Sequence, residues 1–108
     1  MAGVKGSRDD KFHVKKVFSA TGVLGNYTLN GEIQVRFAVE GVGGGNVVTV
    51  KGKMRGQAAY TALTGSPING ATATTFDTSI VDELEVECTT FAASGTPTLI
   101  GSGWHNKV

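Results

Sequence analysis

Two stretches of this chain alternate strictly between apolar and polar positions, and their polar sides carry opposite charge. Residues 48–55 read Val-Thr-Val-Lys-Gly-Lys-Met-Arg, with Val48, Val50 and Met54 on one side and Thr49, Lys51, Lys53 and Arg55 on the other. Residues 83–88 set Leu84, Val86 and Cys88 against Glu83, Glu85 and Glu87. A period of two marks a strand with one face on a core and one face in water. Opposite charges on facing strands attract, so the two wet faces are expected side by side.

The rest of the chain supplies further short strands. Phe12, Val14 and Phe18 alternate with polar residues over 12–20, and 32–40 turns Ile33, Val35, Phe37 and Val39 inward and Glu32, Gln34, Arg36 and Glu40 outward. Asn30-Gly31 and Asn69-Gly70 carry the residues of tight hairpin turns. Gly52 falls on the inner phase of its strand, where a missing side chain marks a bulge or a close backbone approach. Strands are also expected near 59–65, at 73–77 and at 97–104, the last with Leu99, Ile100 and Trp104. Residues 80–91 satisfy helical spacing as well, and Ser79 with Asp82 imitates a capping box. The β-branched Val86, Thr89 and Thr90 and the unbroken glutamate alternation favour a strand.

Composition agrees with β structure. Sixteen glycines in 108 residues are about twice the usual ~7% share, enough for many turns. A chain of this length forms one domain. The expected architecture is all-β: a single antiparallel β-sandwich, jelly-roll-like, of about seven to eight short strands over residues 12–108, with an extended N-terminal arm over 1–11. There is no apolar run long enough for a membrane span and no apolar segment of a secretory signal. Cys88 is the single cysteine, in phase with Leu84 and Val86, and reads as a buried, inert thiol.

Charge adds an asymmetry. Lys5, Arg8, Lys11, Lys15 and Lys16 against Asp9 and Asp10 give residues 1–16 a net +3, and the remainder is slightly acidic. The overall +1 argues against nucleic acid held by a general basic field. No catalytic, cofactor-binding or metal-ligating set stands out. His13 and His105 have no ligand-spaced partners, Ser102 lies in a Gly-Ser-Gly stretch without an oxyanion turn, and Gly41 to Asn46 lacks the Lys-Ser/Thr of a phosphate loop. Glu83, Glu85 and Glu87 are ~7 Å apart along one strand face, too far for two of them to share a calcium ion. Tyr60 and Trp104 are the two aromatics suited to stacking on sugar rings.

Three stretches carry a resemblance to a known class of proteins. Asn46-Val-Val-Thr-Val-Lys-Gly-Lys-Met-Arg-Gly-Gln57 with Tyr60-Thr61, Phe76-Asp-Thr-Ser-Ile-Val-Asp-Glu-Leu-Glu-Val with Thr89-Thr-Phe, and Gly95-Thr-Pro-Thr-Leu-Ile-Gly-Ser-Gly-Trp104 are similar to small β-sandwich proteins of tailed-bacteriophage virions. Those proteins tend to carry a tryptophan where this chain has Tyr60. The resemblance implies a non-enzymatic virion structural protein, assembled in the host cytoplasm, of the capsid decoration (cement) type. Its implied partners are the major capsid protein or another virion protein and further copies of itself, with no cofactor, nucleic acid or membrane. A tail- or fibre-associated module, or a carbohydrate-binding module using Trp104 and Tyr60, is the alternative. The residues expected to meet a partner are Val4, Lys5, Arg8, Lys11, Lys15 and Lys16 in and beside the arm, and Lys51, Lys53, Arg55, Glu83, Glu85 and Glu87 on the charged stripes.

Overall fold

A computed structural model describes residues 12–41, 45–92 and 95–104. Among them nine strands form: β1 (Phe12–Val17), β2 (Gly22–Thr28), β3 (Gln34–Glu40), β4 (Val47–Lys53), β5 (Thr61–Ala62), β6 (Ile68–Asn69), β7 (Ala73–Asp77), β8 (Glu83–Thr90) and β9 (Thr98–Trp104). The expected count of seven to eight is met by the longer strands, and β5 and β6 are two-residue pieces beside β4. Residues 83–90 are strand, not helix. The expected arm over 1–11 lies outside the described residues.

The strands form two antiparallel sheets, β1-β9-β3-β7 and β2-β8-β4-β5, with β6 paired to β4. Successive strands from β1 to β4 alternate between the sheets, and the order is that of a jelly roll. This corrects one expectation from the sequence. Asn30-Gly31 and Asn69-Gly70 are not hairpin turns. β2 pairs β8 while β3 pairs β7 and β9, and β6 pairs β4 while β7 pairs β3, so each dipeptide carries the chain from one sheet to the other. A type I′ turn needs positive φ at both central residues, and here the glycines alone adopt it (Gly31 φ 94°, Gly70 φ 67°).

The inner faces interlock around a line of aromatic rings. Tyr27 meets Phe12 edge-on at 5.4 Å, Phe12 meets Phe37 at 6.0 Å, and Phe37 meets Phe76 at 6.3 Å. Val35, Val39 and Leu99 complete the core from one sheet, with Leu24, Val48, Val50, Leu84, Val86 and Cys88 from the other. β9 admits the rings because its inward positions 101 and 103 are glycine. A Cβ on Gly101 would stand 2.5 Å from the Phe37 ring, so this bare backbone is where the largest core side chain rests. Gly52 is the close approach expected on β4: a Cβ there would lie 2.9 Å from a Val81 methyl and 3.0 Å from a Leu63 methyl.

Two residues depart from the simple alternation. Glu32 was expected outward but is only 3% exposed. β3 begins at Gln34, so Glu32 belongs to the connection after Gly31, where its Oε1 accepts the Asn30 N–H at 2.6 Å and its carbonyl accepts the Thr78 hydroxyl at 2.8 Å. Met54 was expected on the inner side and is exposed. β4 ends at Lys53, and Met54 opens a turn closed by Gln57, whose N–H donates to the Met54 carbonyl and whose Oε1 accepts the Met54 N–H.

Overpacking at the Phe37 seat is expected to be costly. Gly101→Ala should lower stability by about 1–3 kcal/mol, read by urea denaturation of the variant against wild type. Cys88 is buried, its Sγ donates to the Thr90 carbonyl at 3.3 Å, and burial pushes its thiol pKa up. It should therefore stay unreactive toward a thiol reagent in the native protein and titrate fully once unfolded.

Candidate functional site

The outer face of the β2-β8-β4-β5 sheet holds the charged stripes. β4 and β8 are neighbours in a register that sets Lys51 opposite Glu85, Lys53 opposite Glu83, and Thr49 opposite Glu87. Lys51 Nζ lies 3.0 Å from Glu87 Oε1 and 3.8 Å from Glu85 Oε1, and Lys53 Nζ lies 3.8 Å from Glu83 Oε1. The hydrogen bond to Glu87, with the charges of Glu87 and Glu85, raises the Lys51 pKa above the ordinary lysine value against a smaller desolvation cost. Both lysines of the stripe are thus paired with glutamates within the molecule. Arg55 does not join them: it lies past the end of β4, and its backbone N–H donates to Asp82 Oδ2 at 2.6 Å.

One aromatic completes this face. Tyr60 has the Lys53 ammonium 4.8 Å from its ring centroid, and its hydroxyl stands 3.3 Å from Glu83 Oε1 and 3.4 Å from Asn26 Nδ2. One side of the ring is therefore covered by the protein's own cation. Trp104 lies on the other sheet, half-buried and in register with Gln34 on its outer face.

The basic residues near the N-terminus divide. Lys15 is exposed on the outer face of β1, opposite Ile100. Lys16 is in register with the inward Leu99, and its ammonium reaches from β1 to the other sheet, to the Leu24 carbonyl at 2.7 Å. That carbonyl lies at the β2 bulge between Val23 and Gly25. Lys16 is thus an internal tie between the sheets. Val4, Lys5, Arg8 and Lys11 lie outside the described residues, as does His105. His13 is exposed on β1 opposite Ser102. Among the described residues no three His, Cys, Asp or Glu side chains gather as a metal site would require.

A cleft of about 650 Å³ that was not expected lies on the opposite side of the sandwich, where β5 and β7 edge the two sheets. Met54, Leu63, Ile80 and Val81 supply its apolar lining, and Thr75 and Asp77 of β7 form part of its wall. Ile80 is 74% exposed and Met54 47%. Asp77 accepts the Ser79 N–H at 2.9 Å, which holds its carboxyl below the usual aspartate value. No single segment announces it: in the sequence Met54 falls in phase with Val48 and Val50, and Ile80 lies in a stretch that also fits helical spacing.

No family model, curated protein or solved structure matches this chain.

The ladder should behave as a half-exposed charge network. Lys51→Met is expected to cost about 0.5–1 kcal/mol at neutral pH and low salt, and less at high salt. Because the folded Lys51 pKa is raised, its contribution is fully present below the ordinary lysine value and disappears as pH rises through the raised one. Urea denaturation of both proteins across alkaline pH should therefore show their stabilities converging.

Proposed function

We propose that this protein is a non-enzymatic structural component of a virion shell, a capsid decoration protein that binds other proteins on the outer surface of a phage head. The observation that carries the reading is the pair of exposed apolar side chains, Ile80 and Met54, at the mouth of a cleft lined by aliphatic and hydroxyl groups. Such a surface gains from contact with another protein, because apolar area left in water is the costliest part of a soluble surface. The charged stripes beside it are satisfied internally, so they shape solubility and register more than partner affinity.

Two further features support the class of partner. The stretches that resemble phage sandwich proteins fall on β4, on β7 to β8 and on β9, the frame of both sheets. Jelly rolls also recur in viral capsid and lectin domains, an analogy of fold that adds weight without naming a site. A shell protein held in many copies binds through small contacts by avidity, and Lys15 on its exposed face, with Lys5, Arg8 and Lys11 ahead of it, supplies basic groups for that contact, and Val4 an apolar one.

The test is reconstitution. The isolated protein, mixed with capsids stripped of accessory proteins, should bind saturably and in fixed ratio to the major shell protein, measured by quantitative mass spectrometry. Deleting residues 1–11 should lower the occupancy. Absence of binding to any such shell refutes the reading, and unchanged occupancy after the deletion removes the arm from it.

A further inference from the structure

The outer edges are β1 and β7 in one sheet and, in the other, β2 on one side and the short β5 and β6 on the other. An outer strand presents unpaired amides and carbonyls that invite another chain, and natural sheets blunt them with lysines, bulges, prolines or brevity. Three edges here are treated in this way. β1 carries Lys15 and Lys16, β2 is bulged between Val23 and Gly25 with the Lys16 ammonium on its Leu24 carbonyl, and β5 is two residues long. β7 has none of these devices. Ala73-Thr-Thr-Phe-Asp77 contains no lysine, arginine or proline, and it runs against β3 without a register shift.

The hydrogen-bond phase of β7 is fixed. Val39 N–H donates to the Thr72 carbonyl and Thr78 N–H to the Ile33 carbonyl, both at 2.9 Å. Antiparallel pairing alternates, so Thr74 and Phe76 bond to β3, while the amides and carbonyls of Ala73, Thr75 and Asp77 point away from it. Among the described residues no strand lies on that side.

We infer that β7 pairs with β7 of a second copy of this chain, antiparallel about a two-fold axis at Thr75. The register is self-complementary. Thr75 faces Thr75 of the second copy and Ala73 faces its Asp77, so the three outward residues of each copy all find a donor and an acceptor. Neither carboxylate faces its own symmetry mate: each Asp77 stands opposite an alanine. Thr75 is exposed and small, and Arg36 Nη1 already holds its hydroxyl at 2.9 Å, so both strands present ordered side chains at the axis. The pairing also accounts for the apolar cleft. It opens under β7, and the same two-fold turns the Met54 and Ile80 of each copy toward those of the other beneath the joined strands. An isologous contact of this kind closes at two copies.

The inference deepens the shell reading and rests on it for its use in an assembly, but it is tested on the isolated protein. Sedimentation equilibrium should give a dimer for wild type. Thr75→Lys, which places an ammonium against its own copy, should give a folded monomer by circular dichroism, while His13→Lys on the opposite edge should leave the dimer intact. Under mild oxidation T75C should cross-link and A73C should not, because facing residues of a hydrogen-bonded pair have Cα atoms about 5.5 Å apart, within disulfide reach. A wild-type monomer at the highest attainable concentration, a dimer that survives Thr75→Lys, or equal cross-linking of T75C and A73C each overturns the inference. A monomer that still occupies shells refutes the dimer alone, and a dimer that binds no shell refutes the shell reading alone.

Discussion

Every backbone amide and carbonyl in a sheet needs a partner, and a flat sandwich runs out of partners at its rims. That requirement shapes this molecule more than any single contact. One side of the sandwich is closed by the protein itself: Lys16 leaves the inward phase of β1 to bond a carbonyl freed by the bulge in β2. The other side is left open, with a bare five-residue strand above a cleft and two large apolar side chains in water. The asymmetry leaves one side of the sandwich tied across by Lys16 and the other with exposed apolar groups and an outer strand, the side on which the proposed contact is placed. The outer face between them carries lysines and glutamates paired with one another.

The interior explains how so glycine-rich a chain holds one arrangement. Glycine usually weakens a strand, yet Gly101 and Gly103 make room on β9 for Phe37 on one side of the strand and for Phe12 on the other. The rings then connect β1, β2, β3 and β7 in a single packed line. β7 is seated in that line through the buried Phe76. The strand that carries the proposed contact is thus also part of the core.

Much of this was legible in the residues. The opposite charges of Lys51, Lys53, Glu83 and Glu85 announced both the strands and their pairing, since strict alternation fixes the face and charge fixes the neighbour. The turns were misread for a topological reason. Asn-Gly favours a tight reversal, but a jelly roll sends consecutive strands to opposite sheets, so the same dipeptides serve as crossovers. Glu32 and Met54 were misplaced because alternation was extended beyond the ends of β3 and β4, where the chain turns and the phase is lost. Arg55 falls to the same cause. The cleft left no trace in any one segment, because its lining comes from β4, β5, β7 and the connections beside them.

The central claim is that the odd-numbered positions of β7 are the contact surface of the molecule. Residue-resolved hydrogen exchange at several protein concentrations tests it most directly. The amides of Thr74 and Phe76 should be protected at every concentration, and those of Ala73, Thr75 and Asp77 should gain protection as concentration rises. Exchange at positions 73, 75 and 77 that is fast and indifferent to concentration, or a response that appears along β1 instead, would contradict it.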